Sequence, residues 1–342
     1  MRAKVRIHPQ AQEFCNSDIT LIGKSEVTIK SYAKQITYFL DWLELQDFEI
    51  TSPDVDMFLM APNSNGSRKS ARTINLQIAA LKKFGRWLRK KKSIVTNLDL
   101  IEAVKVRPCT VVTLPNKVLK KLISEAKSEK SNSAALIEVL ATRGLRTVEI
   151  VRLKLADLVH DKENKCYYLN VLGKGKALDS EKLSVLINKP LYSKILKHQG
   201  EVYLFENYKG KQIDTSYIRR IVKDKVREAV SNFTPDQLRK DLDVIARKLG
   251  KTPEKTTTSD IITNFHAHAF RHTLASICAA NNVHTYGANG NKLGGSARLL
   301  RHVSAFQDIT SVYNGEEAED TRRKNHKDSV ENKLDEILKT IK

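Results

Sequence analysis

The chain has 342 residues, long enough for two domains, and carries 59 Lys+Arg against 39 Asp+Glu, a formal charge of +20. With 41% hydrophobic and 29% charged residues it can build real cores, which excludes a largely disordered chain. No run approaches the roughly 20 apolar residues of a membrane span, and the opening MRAKVRIHPQAQEF lacks an apolar signal-peptide core, so neither a membrane protein nor export is expected.

Residues 1–24 show no strong periodicity and read as a short N-terminal arm. Ile29, Tyr32, Ile36, Phe39, Leu40 and Leu43 recur at helical spacing, so a first helix is expected over about 25–46, capped by Ser25. Ser52-Pro53-Asp54 signals a second, short helix, and Asn63–Ser67 a loop. A third helix, about 70–91, sets Ile74, Ile78, Leu81, Phe84 and Leu88 on one face. Its other side carries Lys82, Lys83, Arg86, Arg89, Lys90, Lys91 and Lys92. Charges of one sign repel along a helix, and a phosphate backbone relieves that repulsion through counterion release. Lys82, Lys83, Arg86 and Lys90 are therefore candidate DNA contacts; the alternative is a solvated basic face.

Residues 25–105 thus form a helical domain, and 106–114, bearing Pro108, an extended linker. The second domain, 115–320, starts at Pro115 with a helix holding Val118, Leu119, Leu122 and Ile123, followed by helices over about 132–146 and 147–153. Cys166–Leu172 and Lys182–Ile187 read as strands of a β-hairpin, with Gly173-Lys174-Gly175-Lys176 near the turn. Helices follow at about 189–198 and 215–231, and 231–262 is a polar insertion with a helix-like patch. A buried helix is expected over about 269–281, and a glycine-rich loop over Tyr286–Gly295. The tail, 321–342, ends in a helix with Leu334, Ile337, Leu338 and Ile341 in a stripe. The fold class is therefore mainly α with a small β-hairpin or sheet, in two domains. Cys15, Cys109, Cys166 and Cys278 are scattered and form no CxxC pair, which fits reduced thiols in a cytoplasmic protein.

Four short motifs carry candidate chemistry. ATRGLRTVEIVRL, 141–153, puts Arg146 at a turn between helices with Glu149 one turn later; an Arg–Glu structural pair is the plain reading. Lys174 sits on the hairpin turn, where a lysine can enter a groove or merely be solvated. HAHAFRHTLAS, 266–276, sets His268 and Arg271 on one side of a helix start; His268 and His272 have a spacing open to zinc, but neither HExxH nor a cysteine pair accompanies them. LLRHVSAFQDITSVYNG, 299–315, places His302 before Tyr313.

Together, GLRxxE, the GKGK hairpin, HxxRH, a Leu-x-His box and a following tyrosine resemble, in order, the tyrosine recombinase (phage integrase) family. The resemblance covers about 112–320 and extends more loosely to the N-terminal helices, which look like the family's core-binding domain. It implies a helical core-binding domain and a catalytic domain forming a two-domain clamp on duplex DNA. It also implies site-specific strand exchange through a 3′-phosphotyrosyl intermediate, for a mobile element or virus, without metal, ATP or other cofactor. Tyr313 would be the nucleophile, Arg146 and Arg271 the phosphate ligands, and Lys174 the general acid. His268 would accept the tyrosine proton or bond the phosphate, and His302 would bond a non-bridging oxygen. Lys176, Tyr286 and the Leu293-Gly294-Gly295 alignment stay open as alternatives to Lys174, Tyr313 and the His302 box.

The implied partners are double-stranded DNA with a specific recombination site, further copies in a homo-tetramer on paired sites, and accessory DNA-bending proteins. A nucleoid-associated location follows. The tail helix is expected to dock on a neighbouring protomer. Rival readings are a telomere resolvase, a type IB topoisomerase, a non-catalytic architectural DNA-binding protein and a metal-dependent nuclease.

Overall fold

The computed structural model describes residues 6–22, 24–63, 66–106, 113–173, 182–248, 265–281, 283–286, 292–294 and 329–340. The chain divides into two compact units, Met1–Cys109 and Thr110–Lys342, and the division falls within the expected linker. No helix of the described residues is long and apolar enough to cross a membrane.

The first unit is helical: α1 (Pro9–Ser17), α2 (Glu26–Gln46), α3 (Val55–Met60) and α4 (Ala71–Trp87). His8, Ser25, Asp54 and Ser70 each accept a backbone N–H of the following first turn, so all four helices start at a side-chain cap. The short helix thus starts after Asp54, the last residue of the Ser-Pro-Asp signal. The expected arm is not free. It contains α1, whose Phe14 is fully buried with edge-on contacts to Phe84 and Trp87. Burying such a ring stabilises by about 1.5–3 kcal/mol. Its polar surroundings, PQAQEFCNS, leave one large apolar anchor and hence no periodicity to read. After Trp87 the backbone widens into a π-helical turn, Leu88–Lys92, and closes at Ser93 in the left-handed region.

The second unit packs α5 (Asn116–Ser128), α6 (Asn132–Arg143), α7 (Thr147–Val151), α8 (Lys189–His198), α9 (Thr215–Val230), α10 (Pro235–Lys248) and α11 (Ala267–Ala280) around one core. Beside them lies an antiparallel sheet of β1 (Leu158–Asp161), β2 (Cys166–Leu172) and β3 (Lys182–Ile187), with Leu158 opposite Leu169 and Leu169 opposite Val185. The hairpin strands stand at their expected positions, and β1 adds an unexpected edge. Its four residues, LVHD, are too few for a period-two pattern to show. Alternation in β2 sends Leu169 and Val171 into the main core, and Cys166 and Tyr168 to the opposite face.

Within the polar segment 231–262 the expected helix-like patch stands as α10, which buries Leu238 in the core. Asp241 of α10 accepts the Lys117 backbone N–H at 2.7 Å, so it caps α5, whose own cap residue is Pro115 without a side-chain bond. The glycine-rich stretch contributes β4 (His284–Tyr286) and β5 (Lys292–Gly294), an antiparallel pair rather than loop alone. The C-terminal helix α12 (Val330–Thr340) lies on its own unit, with Leu334 fully buried in that core. Within the single chain the helix packs in cis.

Candidate active site

Helix α6 ends at Gly144, whose φ of +58° favours glycine. A Cβ there would also stand 3.3 Å from both Arg271 Cα and Leu274 Cδ1, so a side chain at the α6–α7 turn would crowd its seat against α11. Arg271, 1% exposed, closes this contact: its Nη1 donates to the Gly144 carbonyl at 3.0 Å.

Two residues on, Arg146 occupies the N-cap of α7. Its backbone N–H donates to Glu149 Oε2 and its Nη1 to Glu149 Oε1, both at 2.7 Å. Glu149 is fully buried, whereas the Arg146 side chain keeps about a quarter of its surface open. One buried carboxylate therefore fixes both the backbone and the guanidinium of a cation that faces outward. The Arg–Glu pair read from the sequence is present, and it leaves the candidate site residue Arg146 partly open.

His268 stands on the first turn of α11, exposed and edge-on to His272 at 4.7 Å between ring centroids. Burial of its inner edge lowers its pKa to about 4, helped by the charges of His272, Arg271, His266 and Arg146. The ring is thus neutral near pH 7. His272 is lowered for the same first reason, burial, with His266 and Arg271 adding to it. Among the described residues, no group of three or more His, Cys, Asp or Glu side chains is placed to hold a metal.

The structure therefore brings Arg146, His268 and Arg271 together. Lys174, Lys176, His302 and Tyr313 lie outside the described residues, and Tyr286 is placed only by its backbone in β4.

In the first unit, Arg86 and Lys90 are exposed and Lys82 and Lys83 are half-buried along α4 and its π turn. Two other members of the basic run are tied down internally, Arg89 to Asp99 at 2.6 Å and Lys92 to Glu13 at 2.5 Å. The sequence does not separate these tethered cations from the rest, because both acids come from other elements.

Two family models match the chain: the phage integrase family over residues 113–244, and the phage integrase N-terminal SAM-like domain over 20–92. The chain belongs to the tyrosine recombinase (phage integrase) family. Members of this recombinase family are DNA strand-exchanging enzymes. Among its relatives, tyrosine recombinase XerA of Pyrococcus furiosus is 28% identical over 247 residues, covering 70% of this chain and 80% of that protein. The TnP I resolvase of Bacillus thuringiensis is 28% identical over 235 residues, covering 64% and 78%. The Tn1549 transposon integrase, solved in complex with transposon right end DNA, shares the fold with a TM-score of 0.56 at 16% identity, covering 89% of this chain and 93% of that one. In this recombinase, the residues with described geometry that match family motifs are those of GLRxxE and HxxRH.

Proposed function

We propose that the chain is a site-specific recombinase, serving a mobile element or virus, that breaks and rejoins DNA strands through a 3′-phosphotyrosyl intermediate. The supporting observation is the union of Arg146 and Arg271, far apart in sequence, at the single turn around Gly144. Two guanidinium groups at one turn suit a phosphoryl group that gains negative charge on the way to pentacoordination.

In this reading Tyr313 Oη attacks the scissile phosphorus and forms the O–P bond as the bond from phosphorus to the 5′ oxygen breaks. Neutral His268 accepts the phenolic proton, or bonds the phosphate, and Lys174 gives a proton to the leaving 5′ oxygen. Arg146, Arg271 and His302 bond the non-bridging oxygens. A 5′-hydroxyl from a second strand then attacks the same phosphorus and releases tyrosine, so the bond energy is kept and ATP is not consumed. The cations supply the charge that a metal would otherwise provide. The two units clamp duplex DNA, with Lys82, Lys83, Arg86 and Lys90 on its backbone. Four copies act on paired sites, and DNA-bending proteins can assist.

The test is adduct formation in chelator, on nicked duplexes taken from DNA flanking the gene, with wild type beside Tyr313→Phe. A covalent adduct lost in Tyr313→Phe supports the reading. An adduct that persists moves the nucleophile, with Tyr286 next. Salt-sensitive binding without any adduct refutes the catalytic reading in favour of an architectural protein. Products distinguish strand exchange from hairpin ends or simple relaxation.

A further inference from the structure

Arg143 is the last residue of α6, three positions before Arg146, and its side chain is 1% exposed. A buried guanidinium demands a counter-charge and partners for its donors. Nε donates to the Leu186 carbonyl of β3 at 2.6 Å, and Nη1 to the Thr142 carbonyl at 3.1 Å. The counter-charge comes from the far end of the chain. Asp335 of α12 receives Nη1 on Oδ1 at 2.6 Å and Nη2 on Oδ2 at 2.7 Å, a bidentate pair. Asn188 Nδ2 steadies the same carboxylate at 3.3 Å. Burial pushes the Asp335 carboxyl up, yet the charge and hydrogen bonds of Arg143 outweigh it and hold the group below its ordinary value.

We infer that Asp335 is a positioning residue for the arginine pair: through Arg143 it fixes the turn that carries Arg146 and receives Arg271. The turn is gripped from two sides. On one side Asp335 and Leu186 hold Arg143; on the other Arg271 holds the Gly144 carbonyl, and Leu145 between them is fully buried. Without the carboxylate, Arg143 becomes a buried charge lacking its hydrogen-bonded counter-ion. The cheapest relief is movement toward water, which drags the last turn of α6 and Gly144 with it. Two other carboxylates add charge near Arg143, Glu331 on the same α12 and Glu138, but Glu138 is engaged by Lys194 at 2.7 Å and the bidentate contact to Arg143 comes from Asp335, so what Asp335→Asn removes is the hydrogen-bonded partner rather than all nearby negative charge.

This inference rests on the catalytic reading for its effect on chemistry, but not for its effect on the turn. The test compares full-length wild type, Asp335→Asn, Asp335→Glu and Leu122→Ala, the last a core truncation in α5 that serves as a stability control. Amide hydrogen exchange is read without DNA over peptides spanning 143–149. Exchange there should rise about tenfold in Asp335→Asn, and clearly less in a Leu122→Ala protein compared at equal distance below its melting point. Single-turnover cleavage at saturating protein should fall about 10–100-fold in Asp335→Asn while the DNA dissociation constant changes less than about threefold, the pattern of a misplaced charge stabiliser. Asp335→Glu, which keeps the charge, should recover most of both effects. Unchanged exchange over 143–149, or loosened exchange with undiminished cleavage, overturns the inference. So does Leu122→Ala matching Asp335→Asn in both readouts. A wild type that forms no adduct would instead sink the catalytic reading, and the exchange result alone would then judge whether Asp335 holds the turn.

Discussion

Replacing Glu149 by Ala removes the carboxylate that holds Arg146 by backbone and guanidinium at once. Loss of an N-terminal cap costs about 1 kcal/mol, and loss of a hydrogen bond to a charged group about 1.5–3 kcal/mol. Arg146 keeps a quarter of its surface open, so its charge stays partly hydrated, and the full penalty of a stranded buried charge does not apply. The sum is about 3 kcal/mol. At about 2–4 °C per kcal/mol for a unit of this size, the melting transition of the second unit should fall by about 6–12 °C. On the proposed catalytic reading cleavage should suffer separately, because an Arg146 that has lost this carboxylate is held less firmly where charge develops; loss of one such donor costs about 10²–10³ in rate. Glu149→Gln should fall between, since the amide oxygen can still accept one of the two bonds. The assays are a calorimetric melt and single-turnover cleavage on a nicked duplex, run well below the melting point. A Glu149→Ala protein that melts within about 1 °C of wild type, with an undiminished cleavage rate, would refute the argument that this carboxylate supports the site.

His268 titrates with a folded pKa near 4 against an ordinary 6.5, so the unfolded chain binds the extra proton first, and stability should rise with pH between about 4 and 6.5. His268→Gln should flatten that rise in melts across the range, and a ring resonance titrating near 6.5 in the folded protein would contradict it. Gly144→Ala forces a side chain into the left-handed region and against Arg271 Cα; a loss of at least about 1–2 kcal/mol is expected by denaturant melt. Arg86→Ala with Lys90→Ala should lower the salt slope of DNA binding by about 1.8 if each touches one phosphate. Arg89→Ala and Lys92→Ala, whose charges are spent on Asp99 and Glu13, should change it less. Equal slopes for the two pairs would show that the internal tethers do not hold in the complex.

Legibility in the sequence followed the range of the interaction. Ser25 and Ser70 cap their helices from three residues away, and both helix starts stand where the sequence puts them. The strands Cys166–Leu172 and Lys182–Ile187 were readable because alternation and a glycine turn are local signals. Arg146 with Glu149 was readable for the same reason, one turn apart on a short helix. Arg143 with Asp335 was not: a basic residue at a helix end and an acidic residue beside an apolar stripe both look solvated until the fold joins them. Phe14 was missed because a single aromatic among polar residues has no period. Asp241 as the cap of α5 was missed because the cap arrives from another helix.

Several buried acids of the second unit each hold a cation of this +20 chain, one of them at the α6–α7 turn. Glu138, Glu149 and Asp157 are each at most 3% exposed, and each holds a lysine or arginine that is more open than itself: Lys194, Arg146 and Lys182. The carboxylates sit behind and the cations in front, so repulsion among the cations is offset within the protein, where the dielectric is low and the offset is strong. Around the α6–α7 turn the order reverses once. Arg143 is the buried member and Asp335 the more open one. That inversion places the acid on the terminal helix rather than on the turn's own framework. The turn is consequently built from two kinds of support, one local and permanent through Glu149, the other dependent on α12 remaining seated. The two should therefore separate on perturbation. Removing Glu149 should loosen the start of α7 around Arg146, whereas unseating α12 should loosen the whole stretch from Arg143 to Arg146, including the carbonyl that Arg271 grips.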